Sequence, residues 1–99
     1  MRLIARRSTR AYIAKNPDSR SSLERWVSVV EQAQWASMSE AADAFSKAKS
    51  VSGTRVRYDL GQGYRLIAAF NFNAQICFVK FIGTHAEYDK IDAATVSQF

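Results

Sequence analysis

The chain is poor in the residues that most simply announce a function. It has one cysteine, one proline, one histidine and four glycines in 99 residues. A single Cys77 excludes an internal disulfide and any multi-cysteine metal site. Lying in the apolar stretch "ICFVKFI", it reads as a small buried hydrophobe. No phosphate-cradling glycine loop is present, because "GQG" at 61–63 joins two strands rather than a strand to a helix. Asp59, Glu87, Asp89 and Asp92 do not stand at metal-ligand spacing from His85, so neither a metal nor another cofactor is expected. No apolar run approaches the roughly 20 residues that span a bilayer. "MRLIARRSTR" starts basic, but its apolar part is too short for a signal peptide. A reduced, cytoplasmic protein with no membrane association is the expectation. Repeats, linkers and low-complexity segments are also lacking, which leaves one domain over residues 1–99.

Charge is what the chain does have, and it is unevenly spread. The net charge is +5. Residues 1–25 hold Arg2, Arg6, Arg7, Arg10, Lys15, Arg20 and Arg25 against only Asp18 and Glu24. The rest of the chain is balanced. A basic N-terminal quarter on a neutral body suits a polyanion or an acidic protein surface. It also suits a merely solvated helix face, although arginine favours paired contact with phosphate.

The apolar spacing divides the chain into helices, then strands. Residues 2–5, "RLIA", form a short strand or a lead-in to a helix. A short helix over roughly 8–15 follows, with Ser8 as its cap and Asn16-Pro17 as its stop. Asn16 and Pro17 can equally open a second helix. Leu23, Trp26, Val27, Val30 and Ala33 recur at three and four, which is one face of an amphipathic helix. Ser21 and Glu24 also have capping-box spacing, so that helix starts at either point. Ser37 and Glu40 have the same spacing and open a third helix running to about Phe45. "SVSGT" reads as a loop. "RVRYDL" then alternates strictly, with Val56, Tyr58 and Leu60 on one face and Arg55, Arg57 and Asp59 on the other. "YRLIAAFNFN" and "QICFVKFIG" are apolar on both faces, the latter interrupted by Lys80. "THAEYDKID" coils or turns into a short helix. The expected class is α+β: N-terminal helices packed on a small antiparallel sheet, a meander of three strands with a fourth from "RLIA" where that segment pairs. A short C-terminal helix or turn completes it.

Side chains two apart on a strand share a face, so Arg55 and Arg57 stand together and Arg65 and Lys80 join them from neighbouring strands. The segment from His85 to Lys90 flanks that surface. One histidine, one tyrosine and several cations meet the needs of metal-free RNA cleavage. The 2′-hydroxyl must lose a proton, the phosphate's growing charge must be neutralised, and the leaving 5′-oxygen must gain a proton. Histidine as a residue type serves either proton transfer near neutral pH. Arginine offers paired donors to phosphate oxygens, and tyrosine can stack on a base. Plainer readings stand beside these: a hydrogen-bonded turn histidine, a packing arginine at 65, a core tyrosine at 88, a solvent face for Arg55 and Arg57. A non-catalytic RNA- or protein-binding module would use the same basic surface.

The stretch "YRLIAAFNFNAQICFVKFIGTHAEYDKID", preceded by "NPDS" and "LERW", closely resembles the HigB-family toxins of type II toxin–antitoxin pairs, similar to the RelE superfamily. The "GTHAEYDKID" segment carries most of that specificity. The resemblance implies a RelE-like fold and a ribosome-dependent mRNA interferase. Such an endoribonuclease cleaves translated mRNA in the ribosomal A site by attack of the 2′-hydroxyl on the adjacent phosphate, without metal. It implies a helix-turn-helix antitoxin as partner. Arg65 corresponds to the superfamily's phosphate-binding arginine, His85 to a catalytic basic position, and Tyr88 to a tyrosine that stacks or orients. Lys90 adds charge for the transition state. Arg55 and Arg57 occupy the strand where relatives carry basic groups, and together with Lys80 they are expected to bind RNA. RelE itself has no histidine in the corresponding tail, so the general base is open, with His85 favoured. Arg6 and Arg10 would meet either 16S ribosomal RNA or the antitoxin.

Overall fold

The face formed by Leu23, Trp26, Val27 and Val30 needs an apolar surface to cover it, and the sheet supplies one. The computed structural model describes residues 1–4 and 6–99. In chain order it has β1 (Arg2–Ile4), α1 (Arg6–Lys15), a 3-10 turn (Pro17–Ser19), α2 (Arg20–Gln32), α3 (Met38–Asp43), β2 (Ala48–Ser52), β3 (Arg55–Asp59), a second 3-10 turn (Gly61–Gly63), β4 (Tyr64–Asn71), β5 (Ile76–Thr84) and α4 (His85–Tyr88). Among the described residues the strands form one sheet of order β1-β5-β4-β3-β2. Neighbours are antiparallel except β1, which lies parallel to β5. The architecture is the expected α+β class.

Leu23, Trp26 and Val30 of α2 are fully buried, in one cluster with Val56, Leu66 and Cys77 of the sheet. Each such side chain contributes about 1.5–3 kcal/mol on burial. The Trp26 ring meets Tyr58 edge-on at 5.5 Å, and Phe45 meets Tyr58 at 5.1 Å. Tyr58 donates its hydroxyl hydrogen to the Ala41 carbonyl at 2.8 Å, which fastens α3 to β3.

Several expectations need correction. The segment read as a loop, "SVSGT", supplies the end of β2, an edge strand paired to β3. Its sequence, "AKSVS", lacks the apolar alternation that marks a strand, because pairing on one edge asks little of its side chains. The meander is thereby extended to a five-stranded sheet. Of the two readings of "RLIA", a strand or a lead-in to a helix, the strand holds as β1; Ala5, the last residue of that stretch, lies outside the described residues. The first helix begins at Arg6, not at a Ser8 cap. Pro17 opens a 3-10 turn that leads into α2, and the Asn16 side chain turns back to the Tyr12 carbonyl instead of capping it. The third helix ends at Asp43, short of Phe45. Lys80 stands where the β4–β5 register shifts, so the interruption in that apolar run is a bulge.

Burial raises the pKa of several groups that lose a proton at high pH. Cys77 is pushed up to about 12 by desolvation, and Tyr12 to about 12 by desolvation and then by Glu87. Tyr58 is raised by desolvation, and Tyr64 by its hydrogen bond to Asp18. The unfolded chain releases these protons near pH 9–10, earlier than the folded chain. Stability is therefore complete below about pH 9 and falls as pH rises from there through 12, the buried Cys77 and Tyr58 each adding a slope of at most about 1.4 kcal/mol per pH unit. Urea unfolding from pH 7 to 11 should show that alkaline limb, and Cys77→Ala should make it shallower.

Candidate functional site

The strands carry a second face, turned away from the helices. Strict alternation puts Arg55, Arg57 and Asp59 of β3 there, opposite the buried Val56 and Tyr58. The strand register then sets three rows across the sheet. Arg55 lies beside Ala69 and Phe78, Arg57 beside Ile67 and Phe81, and Asp59 beside Arg65 and Gly83. The α4 helix folds back over the second and third rows.

That fold-back has a local cause. The Thr84 hydroxyl accepts from the Glu87 N–H at 3.2 Å, and the Glu87 carboxylate accepts from the Thr84 N–H at 2.9 Å. This capping box starts a helix directly at the end of β5. One turn on, Tyr88 meets Phe81 edge-on at 6.2 Å. Its ring also lies 4.7 Å from the Arg65 guanidinium carbon and 5.8 Å from that of Arg57. Both cations thus share one aromatic ring.

Beneath the ring, one carboxylate oxygen serves both cations. Arg65 Nε is 3.1 Å and Arg57 Nε 3.2 Å from Asp59 Oδ1. None of the three atoms meets the directional demands of a hydrogen bond, so these contacts are charge pairing at ion-pair distance. The side chains are 17% (Arg65), 23% (Arg57) and 22% (Asp59) exposed, which leaves the guanidinium ends reachable from solvent.

Arg57, Arg65 and Tyr88 are therefore in contact. His85 directly follows the Tyr64–Thr84 pair and stands three residues before Tyr88 on α4, exposed. Residues three apart on a helix are neighbours, so the imidazole belongs to the same turn as the ring. Lys90 is exposed, just beyond α4. The other candidates stand apart. Arg55 is engaged by the C-terminal segment, donating to the carbonyls of Ala93 at 3.1 Å and Val96 at 2.7 Å. Lys80 sits over Phe78 at 5.5 Å. Arg6 pairs with Glu31 at 3.4 Å, and Arg6 and Arg10 line a groove of about 480 Å³ between α1 and α2 together with Glu24 and Glu31. That groove belongs to the helical layer, across the sheet from the Arg57–Arg65 cluster.

Asp59 is the member that sequence reasoning placed on the arginines' face but gave no role, except as a rejected metal ligand. Its signal was there: a turn centred on Gln62 sets residue 59 against residue 65. Gly83 is a second such member. A Cβ at that position would lie 2.5 Å from Phe81 Cζ and 3.2 Å from Glu87 Cβ. Gly83→Ala should displace the Phe81 ring and with it Tyr88, lowering stability by about 1–3 kcal/mol. A urea midpoint equal to wild type would contradict that packing.

The family model of the HigB toxin, a RelE-like toxic component of a toxin-antitoxin system, matches residues 19–91. The chain belongs to the HigB toxin family. The match spans α2, α3, β2–β5 and α4, and so includes Arg57, Asp59, Arg65, His85 and Tyr88. A comparison with curated protein sequences finds no significant match. Membership makes this HigB-family chain the toxic component of a toxin–antitoxin pair and implies an antitoxin partner. The helices on the sheet agree with a RelE-like fold. Among the described residues, no helix is long and apolar enough to cross a membrane.

Proposed function

We propose that this HigB-family toxin is a ribosome-dependent endoribonuclease that cleaves translated mRNA. The observation that carries the reading is the placement of two guanidinium groups and a phenol ring in one cluster, the phenol lying on the same helical turn as the chain's lone histidine. His85 takes the proton of a 2′-hydroxyl, and the freed oxygen attacks the adjacent phosphorus. The bond to the 5′-oxygen breaks as that oxygen gains a proton. The products are a 2′,3′-cyclic phosphate and a 5′-hydroxyl end. Arg65 and Arg57 neutralise the charge that builds on the phosphate's free oxygens, where fixed donors act most strongly. Tyr88 holds the cations and offers an aromatic face to a base. Lys90 adds positive charge nearby. The chain's own cations thus perform the electrostatic part of the reaction.

Arg6, Arg7 and Arg10 on α1 supply a separate basic surface. It suits the ribosomal RNA around the A site or a helix-turn-helix antitoxin, and in the first case its contribution falls steeply with salt. The toxin then acts in the cytoplasm. The test is purified protein with mRNA, either free or bound in the A site of programmed ribosomes. Cleavage of ribosome-bound mRNA with little cutting of free RNA supports the reading. Tight RNA binding without cleavage in either setting would make the protein a binding module instead.

A further inference from the structure

We propose that Asp59 is a positioning residue: it holds the Arg57 and Arg65 guanidinium groups in one arrangement beneath Tyr88, and in doing so weakens raw affinity for RNA. The proposal rests on the reading of this cluster as a phosphodiester-cleaving site.

Two guanidinium groups side by side repel each other. Each has its Nε within 3.2 Å of the same Asp59 oxygen, so they stand close together. With side chains between 17% and 23% exposed, water screens that repulsion only in part. A carboxylate between them removes the tendency to splay. The Tyr88 ring bounds them on another side, 4.7 and 5.8 Å from their central carbons. Because Asp59 meets both groups at Nε, the Nη atoms remain for another anion. That edge of a guanidinium carries paired donors matched to phosphate oxygens. Asp59 is itself firmly placed: its backbone N–H donates to the Lys47 carbonyl at 2.8 Å, and its strand partner is Arg65.

The same carboxylate subtracts one charge from a surface that must attract a polyanion. A residue kept only for attraction would not be acidic. Fixed direction and raw attraction therefore pull against each other at this position, and a neutral replacement separates them. A merely structural role predicts loss of both.

The experiment compares wild type, Asp59→Asn and Asp59→Glu in single-turnover cleavage of ribosome-bound mRNA. Binding of a short 2′-deoxy-substituted, uncleavable RNA is measured in parallel across salt concentrations. For Asp59→Asn the maximal rate should fall at least tenfold. Binding should tighten, and the slope of log affinity against log salt should steepen by about 0.7–0.9. Asp59→Glu keeps the charge but moves the oxygen by one methylene. It should keep the wild-type salt slope, with a maximal rate below wild type and above Asp59→Asn. Should Asp59→Asn fail to fold, Asp59→Glu decides alone, since a wild-type rate there means the oxygen's position is irrelevant. A wild-type rate in Asp59→Asn, or a joint loss of rate, binding and melting temperature, overturns the proposal. If wild type cuts ribosome-bound mRNA and Asp59→Asn cuts as fast, only the role of Asp59 is lost. If wild type leaves that mRNA uncut, the functional reading falls and this proposal with it.

Discussion

Arg65→Ala should abolish growth arrest when expressed without antitoxin, and should slow cleavage of ribosome-bound mRNA about 10²–10³-fold, the usual cost of removing one fixed donor from a developing oxyanion. The structure lets this be separated from misfolding. Arg65 projects from the face of β4 opposite the buried Leu66 and Ala68, so the helix-facing core is untouched. Removing it leaves Asp59 paired with Arg57 at 3.2 Å, so no partly buried carboxylate is stranded. The stability change should thus stay modest, about 1–2 kcal/mol, from a largely shielded ion pair and the cation–π contact with Tyr88. Arg65→Lys should recover little activity, because an ammonium is a point charge and cannot present two parallel donors. A variant that still melts cooperatively, several degrees below wild type at most, yet no longer cuts is the expected result. One that loses several kcal/mol of stability and retains its rate would make Arg65 a packing residue. Circular dichroism melts and single-turnover assays on the same preparation distinguish the two.

His85→Ala should be the other large loss, about 10²–10⁴-fold in rate, the range for a positioned general acid or base. The side chain is exposed, so its removal leaves the buried core untouched. Melting temperature should therefore remain within a degree or two of wild type. His85→Gln retains hydrogen bonding and size but cannot exchange a proton, so it should be as slow as His85→Ala. If both variants cut at the wild-type rate, the proton is handled elsewhere. Lys90, the nearby cation past α4, is then the residue to replace.

Much of this arrangement was legible before any coordinates. The three-and-four spacing of Leu23, Trp26, Val27 and Val30 could only be a helix face. The alternation of "RVRYD" could only put the arginines opposite Val56 and Tyr58. What stayed hidden had no side-chain pattern to show it. β2 is held by backbone pairing at a sheet edge, which "AKSVS" does not advertise. The grip on Arg55 comes from the carbonyls of Ala93 and Val96, and every residue carries a carbonyl. The C-terminal segment likewise closes part of the β5 edge: the Gln98 side chain accepts from the Ile82 N–H at 2.9 Å, and the Gln98 N–H donates to Lys80 at 2.9 Å. Other features were written in the sequence but unread. "THAE" has capping-box spacing, and that box turns α4 back so that Tyr88 meets Arg65. Asp59, rejected as a metal ligand, has a strand face that already places it beside Arg57.

The most direct test of the account is the chemistry of the RNA ends made in cells arrested by the wild-type toxin. Total RNA is ligated by a method that captures 5′-hydroxyl termini and is then sequenced. The account predicts new 5′-hydroxyl ends within translated reading frames, absent from cells expressing Arg65→Ala. Growth arrest with no such ends would contradict it.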